Sequence, residues 1–110
     1  MIFITGDLHG QHDFYKLTKT KFPDTNLTKD DYLIIAGDFG LVWHDNYLSN
    51  TYLQMLDSKN YTTLFIDGNH ENHFILDNLP IKKWKGGNVH YITKKIIHLM
   101  RGQIYKGIIP

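Results

Sequence analysis

The chain has 110 residues, a net charge of +1 and no cysteine. That length suits a single domain with a modest core, and the lack of thiols excludes disulfides and thiolate metal sites together, in keeping with a reducing compartment. Composition is that of an ordinary globular protein; no low-complexity tract, signal peptide or membrane span can be drawn, so a cytoplasmic protein is expected.

Taken in order, Met1 to Thr5 is continuously apolar or β-branched and predicts a strand covered on both faces. Gly6 turns the chain, Asp7-Leu8-His9-Gly10 forms a loop, and a helix is expected over Gln11–Lys21, ended by Phe22-Pro23. A second strand, Tyr32–Ala36, again runs into glycine and aspartate, followed by a loop at Phe39-Gly40-Leu41-Val42-Trp43 that packs beside them. The next helix is predicted over Asn46–Ser58, with Leu48, Tyr52, Leu53 and Leu56 at helical spacing. A third strand covers Thr62–Asp67, and a short helix over Glu71–Leu79 would turn Phe74, Ile75 and Leu79 inward before Pro80. Beyond Ile81 the pattern shortens. Gly86-Gly87 interrupts it, and Val89–Ile92, Ile96–Met100 and Gln103–Ile108 read as short strands, with a turn at Gly102.

The fold expected is α/β: a parallel β-α-β-α-β core with its helices on one face and a small C-terminal strand or hairpin region. If the three strands lie in sequential order, right-handed crossovers place both helices on one side and leave the other bare. Yet every strand is apolar at both parities, so something must cover the second face, either a second copy of the chain or a protein partner.

Three strands therefore end in polar groups: Asp7 and His9, then Asp38, then Asn69-His70-Glu71. In an open parallel sheet the ligand crevice lies beyond the carboxyl ends of the strands, where these residues fall. Carboxylate and imidazole donors without thiolate suit Mn, Fe, Zn or Ni better than copper or an iron–sulfur cluster. Charge is uneven as well. Residues 1–70 hold five Lys against nine Asp, a net −4, and residues 71–110 hold a net +5 through Lys82, Lys83, Lys85, Lys94, Lys95, Arg101 and Lys106. This basic region could attract a phosphate-bearing substrate or nucleic acid, although a solvated lysine face is the commoner meaning of such a run.

Asp7-x-His9, Gly37-Asp38 and Gly68-Asn69-His70-Glu71, each after an apolar strand and in this order, resemble the first three motifs of the calcineurin-like metallophosphoesterases. The resemblance implies that Asp7 and His9 bind a first metal, that Asp38 bridges two metals, that Asn69 binds the second, and that His70 acts on the leaving group or the phosphoryl oxygens. Such a pair of cations, about 3.5–4 Å apart, clamps an in-line displacement at phosphorus. Asp67 and Glu71 are read as groups that orient the ligands or cap the turn.

The chain also departs from that family, whose members are longer and carry a lone-histidine motif and a Gly-His-x-His motif absent here. The first metal would keep Asp7, His9 and Asp38, the second only Asp38 and Asn69. The resemblance thus implies the N-terminal half of a metallophosphoesterase sandwich, a single truncated domain over residues 1–110. The expected function is metal-dependent hydrolysis of a phosphomonoester or phosphodiester, with a non-catalytic protein-binding module or inhibitor on the same fold as the alternative. His12, His44, His73, His90 and His98 read as structural ahead of replacement ligands, and Trp43 and Trp84 as packing residues ahead of base-stacking platforms.

Overall fold

The structure, a computed structural model, describes residues 2–6, 27–37, 39–40, 42, 47–67 and 73–106. The helix expected over residues 11–21 lies outside them. The described elements are β1 (Ile2–Thr5), β2 (Tyr32–Ala36), α1 (Thr51–Asp57), β3 (Thr62–Ile66), α2 (His73–Asp77), β4 (Lys82–Trp84), β5 (Gly87–Tyr91) and β6 (Ile96–Leu99). All six strands join one sheet in the order β1-β2-β3-β6-β5-β4. β1, β2, β3 and β6 run parallel, and β5 and β4 are antiparallel additions. Among the described residues no helix is long and apolar enough to cross a membrane.

The first three strands stand in sequential order. The C-terminal region differs: its last strand, not its first, docks against β3. Burial explains the choice, because Ile96, Ile97, His98 and Leu99 are all buried and need an interior position, whereas Lys82 and Lys83 of β4 are exposed and suit an edge. The strand expected over residues 103–108 does not form in its described part; residues 103–106 are irregular. Gly86-Gly87 does not break the chain. Lys85 (φ 49°) and Gly86 (φ 87°) instead sit in the left-handed region between the paired Trp84 and Gly87, as a tight two-residue hairpin requires.

The helix face holds the larger core, in which Leu33, Ile35 and Phe65 of the sheet meet Leu53 and Leu56 of α1 and Ile75 and Leu76 of α2. Phe39 and Val42, in the loop after β2, are fully buried there, and Phe39 stacks on Phe65 with ring centroids 4.4 Å apart. Helix α1 is shorter than its periodicity suggests. Asn50 caps it, its Oδ1 accepting from Tyr52 N at 2.8 Å and Leu53 N at 3.2 Å. Leu48 consequently falls on a 3-10 turn, Tyr47–Ser49, and is 54% exposed instead of facing the sheet. In α2, Ile75 and Leu76 point inward and Phe74 is 77% exposed, because a five-residue helix rotating about 100° per residue offers only one narrow inner stripe.

The second face is not bare. Tyr32, Ile34, Leu64, Val89, Ile97 and Leu99 form a buried cluster there, packed against Trp84 and Tyr105. Trp84 meets Tyr32 edge-on at 5.8 Å although four strand spacings separate β4 from β2 in the sheet. At about 4.8 Å per spacing, the sheet must curl so that its antiparallel end folds back over its own parallel part. The segment after β6 is strapped to this curl: the Tyr105 hydroxyl donates to Asn88 O at 2.6 Å, and Lys106 N donates to Lys85 O at 2.8 Å. Cover stops short of the β1 edge, where Ile2 and Ile4 (72% exposed) remain open, as does Ile66 at the end of β3.

Candidate functional site

Asp7, His9, Asp38, Asn69 and His70 all lie outside the described residues; the scaffold that leads to them does not. Pairing runs Thr5, Ile35, Phe65 and His98 across one row of the four parallel strands, so the strands finish within about one residue of the same level. Gly37 N still donates to Ile66 O at 3.1 Å beyond the end of β2. Gly37 has φ 95°, a conformation that side chains rarely adopt, which is why a glycine precedes Asp38. In the chain, Gly6 stands one position before Asp7, Gly37 one before Asp38 and Asp67 two before Asn69.

At the same strand ends, on the helix face, the described residues build a polar cluster that the sequence pattern did not assemble. Asp67, directly after β3, has two donors: His98 Nε2 of β6 lies 2.8 Å from Oδ1, and Arg101 Nη2 donates to Oδ2 at 3.0 Å. His73 Nδ1 of α2 lies 3.6 Å from Oδ2, an ion pair when the ring is protonated. The side chains of Asp67 and His98 are 7% and 6% exposed, so water competes little for that bond; Arg101 is 74% exposed. Beyond His98 stands His90, its partner in the β5–β6 register, with the two Nδ1 atoms 3.0 Å apart. The rings are 14° from parallel and their centroids lie 5.2 Å apart, farther than the N···N distance by about a ring width. They therefore meet edge to edge and nearly coplanar, with a single N–H between them when both are neutral.

Burial acts most strongly on the Asp67 carboxyl and favours its neutral form. The bond from His98, the charge His98 carries when protonated and the Arg101 guanidinium outweigh it, and the group is held below the usual carboxylate range. Burial, then the neighbouring His98, push the His90 imidazole below its ordinary value, against the opposing carboxylates of Asp77 and Asp67. These groups border an open cleft of about 440 Å³ that also takes in His73, Leu76 and Met100.

Among the described residues no group of three or more His, Asp or Glu is arranged to hold a metal ion. His90 and His98 are a hydrogen-bonded pair, with His98 also bonded to Asp67. The pairing of His90 with His98, eight residues apart in strands joined by a short turn, was available from the sequence; their meeting with Asp67 was not. Arg101 was grouped with the basic region, yet it turns to the acidic end of the sheet. Lys85, Lys94 and Lys95 go the other way and, with Lys29, line a cleft at the ends where β2, β3 and β6 begin.

Against known proteins, the family model for calcineurin-like phosphoesterases matches residues 1–106 of the chain. No curated protein and no solved structure matches it.

Proposed function

The chain belongs to the calcineurin-like phosphoesterase family, and from that premise we propose that it hydrolyses a phosphomonoester or phosphodiester with the help of divalent metal ions. The observation that carries this reading is the common level at which β1, β2 and β3 end, each continuing in the chain into one part of the donor set Asp7, His9, Asp38 and Asn69. Hard carboxylate and amide oxygens beside an imidazole fit Mn, Fe, Zn or Ni. Bound ions would supply charge neutralisation at the phosphoryl group and a nucleophile at neutral pH. Of the chain's own residues, Asp7, His9, Asp38 and Asn69 would hold the ions, with Asp38 the ligand common to both, and His70 would give a proton or hydrogen bond to the leaving oxygen.

The test is hydrolysis of an aryl phosphodiester in Mn²⁺ by the purified chain beside its Asp38→Asn variant. Loss of turnover in the variant supports the reading, and equal turnover contradicts it. A second reading, a protein-binding module or homo-oligomer, draws on the exposed Ile2 and Ile4 of β1 and Ile66 at the end of β3. Sedimentation as a monodisperse monomer over a wide concentration range would count against self-association.

A further inference from the structure

We propose that His98 is a positioning residue, holding the Asp67 carboxylate at the end of β3, two residues before Asn69 in the chain, through a directional hydrogen-bond chain that runs from His90 through His98 to Asp67. The proposal rests on the phosphoesterase reading for what is positioned, but the chain itself stands on geometry alone.

Each member fixes the next. An ionised Asp67 is acceptor-only, so the 2.8 Å contact requires a proton on His98 Nε2. A neutral His98 then offers a lone pair at Nδ1, and the head-on approach at 3.0 Å requires His90 to carry its proton on Nδ1. The rings hold their planes because Phe65 stacks on His98 at 5.0 Å. The result is a rigid strut across β5, β6 and the end of β3, buried at the two groups that matter most. Arg101 adds a second hold on the same carboxylate, but from solvent, where such a pair contributes little.

Asp67 is two residues before Asn69 and three before His70. A carboxylate locked at the strand end therefore fixes the point from which the chain continues toward Asn69 and His70. Partners that orient ligands typically matter by about 10–100-fold in metal affinity or activity.

The two nitrogens of His98 can be separated by substitution. In His98→Gln the amide nitrogen takes the place of Nε2 and keeps Asp67; in His98→Asn the amide oxygen takes the place of Nδ1 and accepts from His90 only. The expected result is Mn²⁺ affinity by calorimetry and kcat near wild type for H98Q, with both lowered about 10–100-fold for H98N and KM changed less. Equal losses in the two variants would overturn the proposal, since a purely structural histidine does not distinguish its nitrogens. Two measurements on the metal-free chain decide it without activity. Long-range ¹H–¹⁵N spectra should place the neutral-ring protons on Nε2 of His98 and Nδ1 of His90; the reverse polarity overturns it. Hydrogen exchange over residues 66–73 should be faster in H98N than in H98Q, and equal rates overturn it. A wild-type chain that takes up no Mn²⁺ and turns over no ester would instead contradict the phosphoesterase reading, leaving these two measurements to judge the strut.

Discussion

The two faces of this sheet are covered by different means. On one side, α1 and α2 lay Leu53, Leu56, Ile75 and Leu76 over Leu33, Ile35 and Phe65. On the other, the sheet covers itself: β4 and the segment after β6 curl over so that Trp84 and Tyr105 close on Tyr32, Ile34 and Leu64. Crossover helices between parallel strands suffice for one face only, and a short chain covers the other by bending its antiparallel end. The polar cluster sits on the helix face, where the strand ends meet α2, and the open β1 edge sits on the curled face.

Substitutions at Phe65 and Gly87 probe the two faces unequally. Phe65→Ala removes a fully buried ring that stacks on both Phe39 and His98, and should cost about 3–5 kcal/mol in urea unfolding. Gly87→Ala strikes the curl, because a Cβ there would stand 2.6 Å from the Tyr105 ring and 3.0 Å from Ile104 O. Overpacking of that kind should cost about 1–3 kcal/mol, with Trp84 fluorescence changing before the helical circular dichroism. Unchanged stability in Gly87→Ala would mean that the strap does not lie where it is described. Asn50→Ala removes the α1 cap and should cost about 1 kcal/mol.

Much of the helix face was legible in the sequence and little of the curl was. The bounds of β2 followed from a continuous apolar run ending in glycine. Leu48 was misassigned because periodicity marks a face without marking where a helix starts, which the Asn50 cap decided, and Phe74 because the five-residue α2 turns only Ile75 and Leu76 inward. The curl depends on a non-glycine residue, Lys85, at positive φ and on the contact of Gly87 with Tyr105, eighteen residues away; no local pattern carries either. The Asp67 cluster was missed for the same reason, as Asp67, His98 and Arg101 converge only once β6 has docked beside β3. The ligand set was read from motif order, and its placement belongs to residues outside those described.

The faces should also differ in pH response. On the helix face, the folded values of His90 and Asp67 lie below their ordinary ones. Their stabilisation is complete above the unfolded values and fades as pH falls, first below about 6.5 for His90 and then below about 4 for Asp67. On the curled face, burial raises the Tyr105 phenol, against the lowering effect of the hydrogen bond it accepts from Met100 N. Its contribution is complete below about pH 10 and fades as pH rises through the raised folded value. Unfolding midpoints across pH should therefore lose the first acid step in His90→Phe and the alkaline step in Tyr105→Phe. The smallest effect is expected at the uncovered edge, where Ile4→Asp should alter stability by no more than about 0.5 kcal/mol while weakening any self-association seen by sedimentation.

The claim that three strand ends deliver one metal-binding donor set is tested most directly by calorimetric titration of the metal-free chain with Mn²⁺, beside Asp38→Asn. Saturable binding by the wild type that is lost or strongly weakened in a folded Asp38→Asn is the predicted result. Absence of saturable binding, or identical binding by the two proteins, would contradict it.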